Sequence, residues 1–351
     1  MPPDKNKDEE TLYQKIQLDF FQKVYSGEIA PHQSLPPERK QAEELSISRG
    51  TVRKARKMLM DEGFISSTQG SAAVYTPLKK RKKDKLEIIA VVAAIHNPFF
   101  MAYYRAFEKA AEEKGVLVMI KQLENRNVLQ LEKVLFSLFL KGIKDIVFWP
   151  YDTVLEYASF QRLSGLGMHV VFFDKVHDLD FCDYISVDND HAITSLYKLM
   201  NKKGIRTIAY IGWDSQVLTS NVEREKAFSR VKTEDDVIIK LPWNQENLTD
   251  SLLEEHFNVH KLIEKQKLGG ILCGNGHIGI ALRRFLNNKG FPGIPLYSMD
   301  NFEGSETLNI TSYEQSFDVM GEKTFNLLHD RHTKEDWHSR KYYIKGRIIK
   351  R

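Results

Sequence analysis

Four residues near the start of one short segment, Ser48, Arg49, Thr51 and Arg53, have the chemistry to read a nucleic acid. Arg can pair bidentately with guanine in the major groove, while Ser and Thr hydroxyls and Lys54 hold phosphates, provided that they project from the first turn of a helix. A helix with several basic residues is also what a plain solvated face looks like, so this set alone leaves both readings open. A second motif, Gly274-Asn275-Gly276-His277-Ile278-Gly279, is a literal GxGxxG that follows an apolar strand and opens a helix, with Asp300 at about the spacing of a ribose-binding acid. It is the case for an NAD-dependent enzyme. That fingerprint normally fills the first strand-to-helix turn of its fold, and here little chain remains to complete one. The eleven His show no triad or metal spacing, and Cys182 and Cys273 are isolated and read as core residues. No cofactor, metal or catalytic role is expected.

The elements that would carry these residues divide into two modules. Leu12, Ile16, Phe20 and Val24 recur at helical spacing until Ser26-Gly27 and Pro31. Ser34-Leu35-Pro36-Pro37 announces a second helix that runs to about Leu45. Ser48 is a good N-cap for a third, with Val52, Ala55 and Leu59 on one face and Arg49, Arg53, Arg56 and Lys57 largely elsewhere. Two short strands, Phe64 to Ser67 and Ala72 to Thr76, flank Gln69-Gly70. The pattern is three helices and a two-stranded wing over residues 1–76. A basic linker, 77–86, holds Lys79 to Lys83 and cannot bury apolar surface.

Beyond it, in 87–351, short apolar strands alternate with amphipathic helices: Ile88 to Ile95, Val116 to Ile120, Asp145 to Trp149, His169 to Phe173, Thr207 to Ile211, Val237 to Ile239, Gly269 to Cys273 and Pro295 to Ser298. Such alternation implies α/β parallel sheets covered on both faces. An interruption from Asp174 to Ser186, near the middle, implies two lobes. Ligands of open parallel sheets bind beyond the carboxyl ends of the strands. Residues 1–85 carry 17 Lys and Arg against 12 Asp and Glu, an excess of five, whereas the whole chain is +4, so the remaining 266 residues are at −1. A basic first module beside a neutral second one fits one part that meets a polyanion and one that does not. No apolar run approaches bilayer length and no signal peptide is seen, so a cytoplasmic protein without a membrane partner is expected.

Leu35-Pro36-Pro37-Glu38-Arg39, Ser48-Arg49-Gly50-Thr51-Val52-Arg53-Lys54-Ala55, Asp61-Glu62-Gly63-Phe64-Ile65 and Gly70 resemble, in order, the winged helix-turn-helix of the GntR family. The resemblance implies that Arg39, Ser48, Arg49, Thr51 and Arg53 touch DNA from the second and third helices, with Gln69 and Gly70 at the wing tip. His32 stands where that family usually has glycine, and Ser71-Ala72-Ala73 where its wing usually continues Gly-x-Gly.

His96-Asn97-Pro98-Phe99-Phe100, Val187-Asp188-Asn189, Ile208-Ala209-Tyr210-Ile211-Gly212, Gly274-Asn275 and Ser298-Met299-Asp300-Asn301 resemble the LacI-type effector domain, a two-lobed fold similar to periplasmic sugar-binding proteins. Position by position it implies ligand contacts from Asn97, Phe99, Asp174, Arg224, Asn275, Asp300 and Gln315, with Trp149 and Trp243 able to line the cleft. Carboxylates, Asn and Arg suit a polyol, and aromatic faces suit a sugar ring. The family's Asn-Asp pair is Asn275-Gly276 here. A GntR head on a LacI-type sensor is the build of arabinose-responsive repressors. The expectation is a homodimeric transcription regulator, a repressor released from double-stranded operator DNA by a carbohydrate effector. The alternatives are the NAD-dependent enzyme and a solute-binding protein, the second of which leaves the basic head unexplained.

Overall fold

The computed structural model describes residues 5–68, 71–78, 85–93, 98–123, 128–149, 156–174, 179–243, 248–258, 261–263, 267–334 and 337–351. The head consists of α1 (Lys5–Ser26), α2 (Glu38–Glu44) and α3 (Arg49–Asp61), then β1 (Ile65–Ser66) and β2 (Val74–Tyr75), an antiparallel pair with Ile65 opposite Tyr75. Ile16, Phe20 and Val24 of α1 are buried at the helical spacing read from sequence, and Val52, Ala55 and Leu59 of α3 meet them. The loop between α1 and α2 lies along β2: His32 N–H donates to Tyr75 O at 2.9 Å and Leu35 N–H to Ala73 O at 2.7 Å.

This laying-down requires a left-handed residue, and His32 supplies it at φ 63°. A side chain in that region costs about 1 to 2 kcal/mol, which glycine avoids. His32→Gly is therefore expected to raise the melting temperature by an amount worth about 1 kcal/mol, read by thermal unfolding. A fall would mean that the imidazole makes contacts stronger than the strain it brings.

The first lobe is a six-stranded all-parallel sheet made of β3 (Ile88–Ala93), β4 (Leu117–Gln122), β5 (Asp145–Trp149), β6 (His169–Phe173), β7 (Asp183–Val187) and β13 (Lys341–Ile344), in the order β4-β3-β5-β6-β7-β13. Ala90 and Val92 of β3 pack toward α5 (Val128–Leu140) and α6 (Tyr157–Gly165). Ile89, Val91 and Ala93 pack toward α4 (Pro98–Glu112) and α11 (Phe317–Thr333). Both faces are covered, which is why these strands read as unbroken apolar runs.

The second lobe repeats the plan with β8 (Ile208–Asp214), β9 (Val237–Pro242), β10 (Gly270–Cys273), β11 (Leu296–Met299), β12 (Thr311–Glu314) and β14 (Arg347–Ile349). Their order is β9-β8-β10-β11-β12-β14, and only β14 runs antiparallel. Its helices are α7 (Asn189–Lys202), α8 (Thr219–Val231), α9 (Asp250–His256) and α10 (Gly276–Asn288). Each lobe thus has its first strand flanked by its second and third, and the chain reverses winding direction there. In such sheets the crevice beyond the strand ends at that point receives ligands.

The chain passes between lobes three times, at Val187–Asn189, Glu314–Phe317 and Ile344–Arg347. These passages are bonded to one another: Asp188 N–H to Ile344 O at 2.9 Å, Gly346 N–H to Tyr313 Oη at 2.6 Å, and Ser316 Oγ to Lys345 O at 2.9 Å.

The Asp174–Ser186 interruption is corrected by β7, which lies inside it and is a buried strand of the first sheet; the lobes part just after it. Its sequence, Asp-Tyr-Ile-Ser-Val, looks half polar because Asp183 is buried for a purpose. Asp183 pairs with His169 Nε2 at 2.9 Å and accepts from Trp337 Nε1 at 3.1 Å and Arg340 N–H at 2.8 Å. Buried carboxylates persist only with such partners.

Candidate functional site

On the head, Ser48 caps α3 as its residue type demands, accepting Thr51 N–H at 3.0 Å, and its hydroxyl lies 2.8 Å from Thr51 Oγ1. This sets the first turn of α3 with Arg49 and Arg53 projecting into solvent. Arg53 is steadied by Glu38 of α2 at 3.1 Å, and Arg39 by Glu43 at 3.0 Å, both loose surface pairs that a stronger anion can displace. Arg49 has no ion pair among the described residues. Arg56, one of the basic residues of α3 read as lying off its apolar face, turns inward instead. It donates to Gln41 Oε1 at 2.6 and 2.9 Å and to Pro36 O at 2.5 Å, locking α3 onto α2.

The wing tip is tied by Ser71, whose Oγ accepts Thr68 N–H at 3.1 Å and lies 2.7 Å from Thr68 Oγ1. Gln69 and Gly70 lie outside the described residues. What remains is a cation-bearing surface on the α2–α3 pair, with a depression lined by Arg39, Ala42, Glu43, Ser46, Ile47 and Arg49.

The cleft between the lobes collects the polar residues that end the strands. Asp174 follows β6 and Asp300 follows β11, both with left-handed backbones at φ 59° and 64°. Asp is one of the few residue types that tolerate this region, and such strain concentrates at functional sites. Asp300 is fixed twice, accepting Gln315 Nε2 at 2.6 Å and Gly276 N–H at 3.1 Å. Arg224 of α8 is 5 % exposed and donates to Asn189 Oδ1 at 2.7 Å and Gly274 O at 2.9 Å, while Asn189 Nδ2 donates to Glu223 Oε2 at 2.7 Å. Ser220 Oγ of α8 reaches across to Asp174 Oδ2 at 3.4 Å. Among the described residues, Asp174 Oδ1 and Gln315 Oε1 are buried without a hydrogen-bond partner. Acceptors of this kind can take donors, and hydroxyl groups are the donors of a polyol.

The structure therefore brings Asp174, Arg224, Asp300 and Gln315 together. Asn275 adjoins them, with its Oδ1 accepting His277 N–H at 2.9 Å as the cap of α10. Asn97 and the side chain of Phe99 lie outside the described residues; Phe99 falls in the first turn of α4. The two tryptophans stand near strand ends and pack on other rings. Trp149 stacks on Phe100 at 4.8 Å and 4° in the core of the first lobe, and Trp243 meets Trp213 edge-on at 5.5 Å. Sequence reading missed Asn189, Ser220 and Glu223, which orient Arg224 and Asp174. Asn189 stood within a quoted motif, but only the fold reveals that it faces Arg224.

The GxGxxG turn has a packing role that accounts for its glycines. A Cβ on Gly276 would stand 2.6 Å from the Phe302 ring and 2.9 Å from Asp300 Cβ, and one on Gly279 would stand 2.6 Å from Ser298 Oγ. The spacing lets α10 lie directly on β11, and the acid at the far end of the motif is occupied with Gln315 and Gly276. Among the described residues no group of three His, Cys, Asp or Glu is placed to hold a metal, and no helix is long and apolar enough to cross a membrane.

The family model for periplasmic binding proteins and the sugar binding domain of the LacI family matches residues 85–347. The chain belongs to this family. A second model, for bacterial regulatory proteins of the gntR family, matches residues 12–74, so the head is of gntR type. The arabinose metabolism transcriptional repressor of Geobacillus stearothermophilus is 22 % identical over 307 residues, covering 84 % of each chain. A periplasmic binding protein/LacI transcriptional regulator from Alkaliphilus metalliredigens, complexed with D-xylulofuranose, superposes with a TM-score of 0.62 at 22 % identity, over 76 % of this chain and 98 % of that one. The lac repressor dimer bound to operator and an anti-inducer does so at 0.62 and 14 %, over 77 % and 94 %. These likenesses extend the LacI-type fold to the whole two-lobed part of the chain.

Burial pushes the Asp174 carboxyl up to about 7; Glu223 and Asp300 add to the rise and Arg224 opposes it. A carboxyl whose folded pKa lies above its unfolded value binds more protons in the native state between the two, so stability falls as pH rises from about 4 to about 7. Asp174→Asn, which cannot ionise, is expected to melt higher than the parent at pH 8, with the gap closing toward pH 4. A gap that does not change with pH, followed by thermal unfolding, would show that Asp174 ionises normally.

Proposed function

We infer that the protein is a ligand-controlled transcriptional repressor of the LacI-type family. Its head, residues 1–76, reads double-stranded operator DNA through Ser48, Arg49, Thr51 and Arg53, with Arg39 and the Gln69-Gly70 wing on the flanking backbone. Its sensor, residues 87–351, closes on a small neutral carbohydrate. The observation that carries this is the coexistence in one chain of an exposed, capped arginine helix and a cleft whose buried acceptors lack donors. The protein functions as a homodimer whose two heads address successive major grooves, since one head covers only half of a near-palindromic site. It acts in the cytoplasm, where its DNA is, and has no catalytic role.

The mechanism follows from the geometry. Asp174, Arg224, Asp300 and Gln315 are held by one another and by Ser220, Asn189 and Gly276. A pentose-sized sugar offers hydroxyl donors to Asp174 Oδ1 and Gln315 Oε1 and acceptors to the remaining Arg224 protons, with Asn97, Phe99 and Asn275 completing the ring of contacts. Trp149 and Trp243 act from behind, as supports of the walls. These contacts exist fully only when both lobes approach, so ligand favours the closed state by its differential affinity and moves the lobes about the three crossings. The pentose reading draws on the arabinose name of the full-length relative and the xylulofuranose of the structural one.

A mobility-shift assay on the DNA upstream of the gene, with and without a panel of pentoses, hexoses and disaccharides, tests the whole reading. Binding released by one sugar is expected; failure to bind DNA, or indifference to every sugar, would overturn it. Arg49→Ala is expected to lose roughly 1–3 kcal/mol of DNA affinity with sugar binding intact. Arg224→Ala should retain DNA binding and lose the sugar response, and an intact response would remove the proposed cleft.

A further inference from the structure

The head and the first lobe share one hydrophobic core. Helix α1 carries Ile16, Phe20 and Val24 into the head, while Phe21 and Tyr25, four residues apart, meet the lobe. Helix α5 has more apolar surface than its own lobe covers. Leu131, Leu135 and Leu138 are buried, and Phe136 and Phe139 reach the head. Tyr25 stacks on Phe136 at 4.4 Å and 5°, and Phe21 meets Phe139 edge-on at 5.1 Å and 90°. Tyr25 Oη donates to Glu132 O at 2.9 Å, and the Glu132 carboxylate in turn takes the Ser159 hydroxyl of α6.

Leu78 closes the other side. Its N–H donates to Gly165 O at 2.8 Å, and its methyls fill the space beside Gly63 of the head and Gly167 of the lobe, where a Cβ would stand 3.3 and 3.1 Å away. Gly165 allows the same approach: a Cβ there would stand 2.9 Å from Tyr75 Oη and 3.4 Å from Pro77 Cβ. All of this is built without covering Arg39, Arg49 or Arg53, which remain exposed on the docked head.

We propose that this interface, the α1–α5 aromatic stack pinned by Leu78, is a positioning surface that holds the DNA-reading helix at a fixed angle to the first lobe while operator is bound. The proposal rests on the repressor reading above. A head on a loose basic tether would sample many orientations and accept half-sites at varied separations. A docked head inherits one orientation from its lobe, so a dimer presents two α3 helices at one spacing and phase. Lobe movement is then transmitted to DNA through packed aromatic rings, which have a defined geometry, rather than through residues 77–86 acting as a string.

The test uses the full-length protein and a palindromic site selected by it from random DNA, beside the same site with its halves moved apart by about five base pairs, half a helical turn. The parent protein is expected to bind the lengthened site at least about tenfold more weakly. Gly165→Leu, which wedges the interface, and the Tyr25→Ala, Phe136→Ala double variant should bind the two sites within about threefold of each other. Unchanged affinity for a single half-site shows that the variant head is folded. Variants that keep the parent's discrimination overturn the proposal. If the parent selects no DNA, it is the repressor reading that fails, and docking is then judged by melting temperature across the same cycle. Non-additive shifts, with the double variant no less stable than the weaker single one, support docking, and additive shifts overturn it.

Discussion

Three segments of chain passing side by side between one parallel and one mainly parallel sheet are the constraint on which the sensor depends. A parallel sheet puts the carboxyl ends of all its strands at one edge. The passages leave from such ends, after Val187, Glu314 and Ile344, so they draw the two edges toward each other and make a cleft out of geometry alone. Because the passages bond to one another through Asp188, Tyr313, Ser316 and Gly346, the lobes have a narrow hinge rather than a flexible joint. Helix α11 begins at the hinge but packs on α4 and ends with His332 bonded to Asp145 at 3.1 Å, so it moves with the first lobe along its whole length.

The polar groups in that cleft are held apart from full satisfaction. Asp300 and Arg224 are each bound by two neighbours, yet Asp174 and Gln315 retain an empty acceptor apiece, and both acids sit in strained backbone. An unfilled buried acceptor costs about 1 to 3 kcal/mol, and among the described residues the core hydroxyl of Tyr210 is also without a hydrogen-bond partner. The Asn275-Gly276 sequence bears on the same balance: the glycine lies against Phe302 and gives its N–H to Asp300.

Much of this was legible in the sequence, for identifiable reasons. The core face of α1, the Ser48 cap and the apolar strands obey local rules of period and hydrogen bonding, and nothing distant contradicts them. Strand β7 was illegible because Asp183 is stabilised by Trp337 and Arg340, more than 150 residues away. Arg56 was misjudged for a related reason: a guanidinium on a basic helix looks solvated until Gln41 and Pro36 are seen beneath it. Strands β12, β13 and β14 are short and pair with partners that no local pattern announces. In the cleft, the acids could be named from resemblance, but their orienting partners Asn189 and Ser220 are visible only once α7 and α8 lie side by side.

The continuity of the head's core with that of the first lobe has a consequence for how the molecule comes apart. Units of sequence and units of cooperative unfolding need not coincide, because cooperativity follows shared buried surface. Here Phe20, Val24, Leu59 and Tyr75 belong to the same cluster as Leu135, Phe148 and Phe172, whereas the second lobe keeps clusters of its own around Ile271 and Tyr210. The head and the first lobe are thus expected to unfold together, as one cooperative unit that spans the basic linker.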